Sequence, residues 1–146
     1  MSVGQFVFML HSHLPYYRKA GMWPFGEENL YECMAETYVP LLNAISELYD
    51  EGIKAKLTVG ITPILAEQLN DEHLQNGFVE YIDSRIAAVS KDLDRYPDPK
   101  VAHSQHLKYL AKYYFDLWNK LRDDFVNKYE KNLIKYFKKV FSFWKR

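Results

Sequence analysis

The stretch QFVFMLHSHL, residues 5–14, decides the fold. A short apolar run rich in Phe and Val passes into polar, Pro-containing sequence, the pattern of a parallel-sheet strand buried on both faces. Side chains alternate across a strand, so His11 and His13 point to the same side at its C-terminal end, where two imidazoles converge. Residues 14–26 follow with two prolines, two glycines and mixed aromatics without a period, and read as a loop.

Working outward, residues 27–51 place Leu30, Met34, Tyr38, Leu41, Leu42, Ile45 and Leu48 at helical spacing, with acidic residues in the first turn where the helix dipole favours them. Pro40 removes a backbone donor and predicts a kink or split near Val39. Gly52 supplies the stop, because it tolerates the left-handed C′ conformation. A second strand is expected over 55–61, before Thr62-Pro63, which sets an N-cap side chain ahead of a preset first helical residue. A strand that returns through a helix of this length is a parallel crossover, so the chain opens as an α/β fold.

The remainder reads as helix. Phe78, Ile82, Ile86, Val89 and Leu93 mark one amphipathic helix, ended by Tyr96-Pro97-Asp98-Pro99; Leu107, Leu110, Tyr114, Leu117, Leu121 and Phe125 mark a second. Tyr129, Leu133, Phe137, Val140 and Trp144 mark a last one. No third strand is visible, and a two-stranded parallel sheet is a poor endpoint for a fold. Residues 1–146 therefore read as a single segment, the front part of a larger domain, with no internal repeat or linker.

At 146 residues, 48% hydrophobic and 26% charged, the chain has the composition of one globular domain rather than a disordered one. Nineteen basic residues balance nineteen acidic ones, so net charge gives no reason to expect a nucleic-acid partner. The last nineteen residues carry seven basic residues against Glu130 alone, a pattern that suits a membrane surface or nucleic acid but equally an ordinary surface helix, the preferred reading. Cys33 is the single cysteine, no export signal is evident, and the longest apolar run is five residues where a span needs about twenty; a soluble, cytoplasmic protein without membrane partner is expected.

The H-x-H pair is the sharpest local feature. Two imidazoles on one side of a strand could begin a divalent-metal site, be satisfied structural groups, or hydrogen-bond a substrate; a catalytic metal needs a third ligand, and His73, His103 and His106 have no spacing that returns them there. Glu28, Glu32 and Glu36 share a helix face and read as solvated surface rather than paired catalytic carboxylates. Trp23 is a candidate ring for stacking on sugars, whereas Phe78, Tyr114, Phe125 and Phe137 sit at core spacing. Phosphate loops, nucleophile elbows and C-x-x-C pairs are absent from the sequence.

Residues 4–69 as a whole resemble the opening of glycoside hydrolase family 57, and within it the bacterial and archaeal 1,4-α-glucan branching enzymes. The likeness rests on HSHLPY at 11–16, on WPFGEE at 23–28 and on LTVGITP at 57–63; a weaker one continues to KNLIKYFKK near residue 136. The resemblance implies a (β/α)7 barrel, here an incomplete one with two parallel strands and mostly helical sequence after them, and a retaining reaction on α-glucans without a metal or other cofactor. In branching, an α-1,4 segment is moved to a 6-hydroxyl. His11 and His13 would line the glucose subsite, with Trp23 stacking nearby.

The family's nucleophile glutamate, in a W-x-P-E signature, and its acid/base aspartate have no counterpart in this sequence. The resemblance therefore implies no catalytic residue here and an inert chain on its own. The partners it implies are an α-glucan and a polypeptide holding the remaining strands. Two alternatives stay beside this reading: a non-catalytic glucan-binding or complementing fragment, and a metal-dependent hydrolase built on His11 and His13.

Overall fold

The computed structural model describes residues 4, 6–53, 56–96 and 103–144. It divides into two compact units, residues 1–74 with 132–146, and residues 75–131.

In the first unit, β1 (Phe8–Ser12) and β2 (Leu57–Ile61) form a parallel pair in which Leu10 faces Val59, His11 faces Gly60 and Ser12 faces Ile61. The Thr62 N–H donates to the Ser12 carbonyl at 3.1 Å, carrying the pairing one step past the strands. The crossover is helical: α1 (Glu27–Cys33), a π-helical turn (Met34–Tyr38) and α2 (Val39–Asp50). Pro40 sits at the start of α2, and the widened turn before it lets the Val39 N–H reach the Met34 carbonyl, so the helix splits there as the missing donor predicts. Gly52, at φ +74°, ends α2. Its N–H donates to Tyr49 O at 3.0 Å and the Ile53 N–H to Leu48 O at 2.9 Å, the paired bonds of a Schellman stop.

Helix α3 (Pro63–Asn70) follows β2 directly, and α6 (Leu133–Trp144) packs on α2 and α3. Leu30, Leu42, Ile45, Leu65, Leu69 and Leu133 are buried, each worth about 1.5–3 kcal/mol of transfer free energy as a fully buried aliphatic side chain. Thr62 occupies the N-cap of α3 with extended backbone, yet its side chain makes no capping bond.

The second unit is helical: the greater part of α4 (Glu72–Arg95), then α5 (Ser104–Asp123) and a second π-helical turn (Asp124–Lys128). Phe78 and Phe125 meet edge to face with centroids 4.7 Å apart, and Tyr81 meets Trp118 likewise at 5.9 Å. Arg122 bonds Asp83 through Nε at 2.6 Å.

Three sequence expectations need correction. The first strand is shorter than residues 5–14, and it is not buried on both faces: Phe8 is 49% and Met9 50% exposed, and among the described residues the sheet has only its two strands. Tyr114 keeps helical spacing but is 47% exposed, so periodicity placed it in the core wrongly, while Phe78, Phe125 and Phe137 are buried as expected. Tyr129 is buried but precedes α6 instead of belonging to it. The Pro97-Asp98-Pro99 turn and residue 55 of the second strand lie outside the described residues.

The loop over residues 14–26 is built onto the start of α1. The Glu27 N–H donates to Gly21 O at 2.9 Å and the Glu28 N–H to Met22 O at 3.3 Å, so loop carbonyls satisfy helix donors that otherwise lack partners. Gly26 makes this approach possible: a Cβ there would overlap the Gly21 carbonyl and come within 2.8 Å of Met22 O. Gly26→Ala is expected to lower the unfolding free energy by about 2–3 kcal/mol, measured as a shifted urea midpoint with an unchanged slope.

Candidate functional site

Parallel pairing brings both strand C-termini to one end of the sheet, and a pocket of about 150 Å³ opens there, lined by His11, Ser12, His13, Gly60, Ile61 and Thr62. His11 and His13 both line it and are exposed; β1 ends at Ser12, which lines it too, so His13 stands just past the strand. Gly60 keeps the pocket open on the β2 side, since a Cβ would lie 3.9 Å from His11 Nδ1 and 3.7 Å from Leu10 O. The space is about half the lower bound of roughly 300 Å³ usual for a complete ligand pocket. It presents imidazole and hydroxyl groups able to donate and accept hydrogen bonds, and no carboxylate lines it.

Trp23 is not among the lining residues. It stands in the loop that leaves β1, 78% exposed, with Met22 and Phe25 also exposed and a cis peptide between Trp23 and Pro24. Among the described residues no group of three or more His, Cys, Asp or Glu side chains is placed to hold a metal ion. Glu32 and Glu36 are exposed and Glu28 half-buried, in keeping with a solvated face. Burial, followed by the neighbouring charges of Glu32 and Glu36, pushes the Cys33 thiol up, which makes it a poor nucleophile near neutral pH.

Sequence reasoning missed the polar network that holds the loop. Glu27, buried, accepts from the Lys19 N–H at 3.2 Å and the Tyr31 hydroxyl at 3.2 Å, with His73 Nε2 at 3.2 Å and an Arg18 nitrogen at 3.9 Å. Gln68, also buried, accepts from the Tyr17 N–H at 2.7 Å and donates to Pro15 O at 3.0 Å. Arg18 Nε donates to Asp71 Oδ2 at 3.3 Å, and Asp71 Oδ1 takes the Leu74 N–H at 3.0 Å, capping α4. One acidic residue at a helix start looks like any dipole-favoured surface charge; its burial depends on where the loop returns, which no local pattern reports.

Burial works to raise the Asp71 pKa, but the Leu74 N–H and the Arg18 charge and hydrogen bond, with a further backbone bond from His73, outweigh it and hold the carboxyl below its usual range. A depressed folded pKa contributes stability above the unfolded value of about 3.9 and loses it as pH falls through the folded value. Asp71→Ala is therefore expected to cost about 1 kcal/mol near pH 7, for a partly exposed capping carboxylate. The deficit should shrink in thermal melts run below about pH 4.

Two adjacent parallel strands with a crossover helix and a small pocket at their C-terminal ends define an α/β protein of the kind whose sites lie at strand ends. The sequence model of glycosyl hydrolase family 57 matches residues 7–145, and the chain belongs to that family. A 1,4-alpha-glucan branching enzyme of Thermococcus kodakarensis is 42% identical over 125 residues, which is 86% of this chain and 18% of that protein. A probable 1,4-alpha-glucan branching enzyme of Mycobacterium tuberculosis is 43% identical over 74 residues, 51% of this chain and 14% of its own length.

Among solved structures, a family 57 branching enzyme from Pyrococcus horikoshii superposes with a TM-score of 0.83 at 32% identity, over 93% of this chain and 24% of that one. The alpha-amylase AmyC of Thermotoga maritima gives 0.76 at 29% identity, over 94% and 25%. The chain thus spans less than a fifth of the length of the curated relatives it matches. The comparisons bear out the family resemblance and the α/β fold with two parallel strands and mostly helical content. No helix among the described residues is long and apolar enough to cross a membrane.

Proposed function

We propose that these residues form the first two strands and adjoining helices of a family 57 (β/α)7 barrel and contribute one face of an α-glucan site. The reaction is that of a 1,4-α-glucan branching enzyme, the transfer of an α-1,4 segment to a 6-hydroxyl with retention of configuration. His11 and His13 hydrogen-bond hydroxyls of one glucose unit from the strand-end pocket, and Trp23 offers an apolar ring face to a neighbouring one. Identity of 42% to a branching enzyme across most of the chain supports this assignment over other glucan chemistry.

Retention requires two carboxyl groups about 5–5.5 Å apart across the scissile bond, one as nucleophile and one as acid/base. The observation that carries the division of roles is the lining of the pocket: two histidines, Ser12, Thr62, Gly60 and Ile61, with no carboxylate. A polypeptide of these 146 residues alone binds sugar weakly and performs no transfer; the reacting carboxylates belong to the strands that complete the barrel. The exposed Phe8 and Met9 supply apolar surface for those strands to cover.

Incubating the purified chain with amylose is expected to create no α-1,6 branch points; robust branching would overturn this reading. In calorimetry with maltooligosaccharides, His11→Ala should weaken binding about tenfold, the loss of one or two hydrogen bonds to a sugar. Gly60→Val should do the same by filling the pocket, and melts should show the fold retained.

A further inference from the structure

Glu27 is buried and tied to three parts of the chain, yet sugar binding at the strand ends gives it no task. Its side chain meets Arg18 and the Lys19 N–H from the loop, the Tyr31 hydroxyl from α1, and His73 from the first turn of α4. The loop it anchors is in an unfavourable conformation. Lys19 and Phe25 hold φ near +67° and +62°, in the left-handed region that suits glycine. Met22, Trp23 and Phe25 face solvent at 52%, 78% and 83% exposure, although apolar rings gain by folding against apolar surface. Such a loop keeps its shape only if something fixes it from below.

We propose that Glu27 is the positioning residue that clamps the loop over residues 15–25, so that Trp23 and its neighbours stand ready for glucan; the inference rests on the glucan reading above. A carboxylate fits the place because its two oxygens accept several hydrogen bonds and donate none, and the Lys19 N–H, the Tyr31 hydroxyl and the Arg18 guanidinium beside it are donors. Glu27→Met keeps the bulk and removes the acceptors. Glu27→Gln keeps an acceptor for the Lys19 N–H and can turn its amide toward the Tyr31 oxygen. Acceptor function therefore separates the two variants, whereas a space-filling role does not.

Hydrogen exchange over residues 15–25, with α5 as internal reference, reads the clamp directly. Glu27→Met should speed loop exchange about tenfold and leave α5 unchanged, and Glu27→Gln should stay within about threefold of the parent. The maltohexaose dissociation constant should rise in the same order, as the competent loop becomes less populated. Should Glu27→Met fail to fold, His73→Ala and Tyr31→Phe each remove one partner with little risk to the core. Unchanged loop exchange in both would overturn the proposal. So would equal behaviour of Met and Gln, or loop and α5 loosening together. If the parent binds no maltohexaose but the order of loop exchange holds, the clamp stands and the glucan assignment falls.

Discussion

The parallel register of β1 on β2 is the constraint from which the rest follows. Parallel strands cannot be joined by a hairpin, so the chain between them must travel the length of the sheet and return, and α1, the π-helical turn and α2 make that passage. Because both strands run the same way, the peptide leaving Ser12 and the peptide leaving Ile61 emerge side by side, joined by the Thr62 to Ser12 bond. His11 lies opposite Gly60 in this register, so the imidazole meets open space where any other residue would present a side chain. A slip of one residue would set Val59 or Ile61 against His11 and turn the histidines to the other face.

That same pair is thinly covered. The helices of the first unit bury their own apolar stripes, but β1 leaves Phe8 and Met9 half in water, and a groove of about 310 Å³ remains among Val59, Ile61, Ala66, Ile134, Phe137, Lys138 and Phe141. Apolar area left in water forgoes about 25 cal/mol per Å². Parallel sheets in folded domains ordinarily have both faces covered. The branching enzymes of Thermococcus kodakarensis and Pyrococcus horikoshii that it matches are about four to five times longer than this chain.

What could be read from residues alone followed local rules. The Pro40 split, the Gly52 stop and the crossover all depend on a few neighbouring residues and their backbone geometry, and each is found. Coverage is a different matter. Tyr114 has the same spacing as a core residue, and Phe6 to Leu10 has the composition of a buried strand, but whether a face is covered depends on what arrives from elsewhere in the chain. Thr62 has the type and place of a capping residue and still makes no side-chain cap, while Asp71, the one-residue joint between α3 and α4, does cap its helix through the Leu74 N–H. Trp23 was legible as an exposed ring, though its absence from the lining of the histidine pocket was not.

Glu27 shows why the polar part of the architecture stays hidden longest. Its partners are 8 or 9 residues away on the loop, 4 away on α1 and 46 away on α4, so only the first-turn neighbour lies within reach of a helical pattern. Electrostatics then decides how such a group is tolerated. Arg18 stands between Glu27 and Asp71, so one guanidinium serves two carboxylates, and the His73 ring completes the contact from the solvent side with its side chain 55% exposed. A buried carboxylate without those donors would be costly to keep charged, and the donors without it would leave the Lys19 N–H unsatisfied beneath the loop. Each half of the network is stable because the other is present, which makes the loop's shape a property of the folded ensemble of helices rather than of its own sequence.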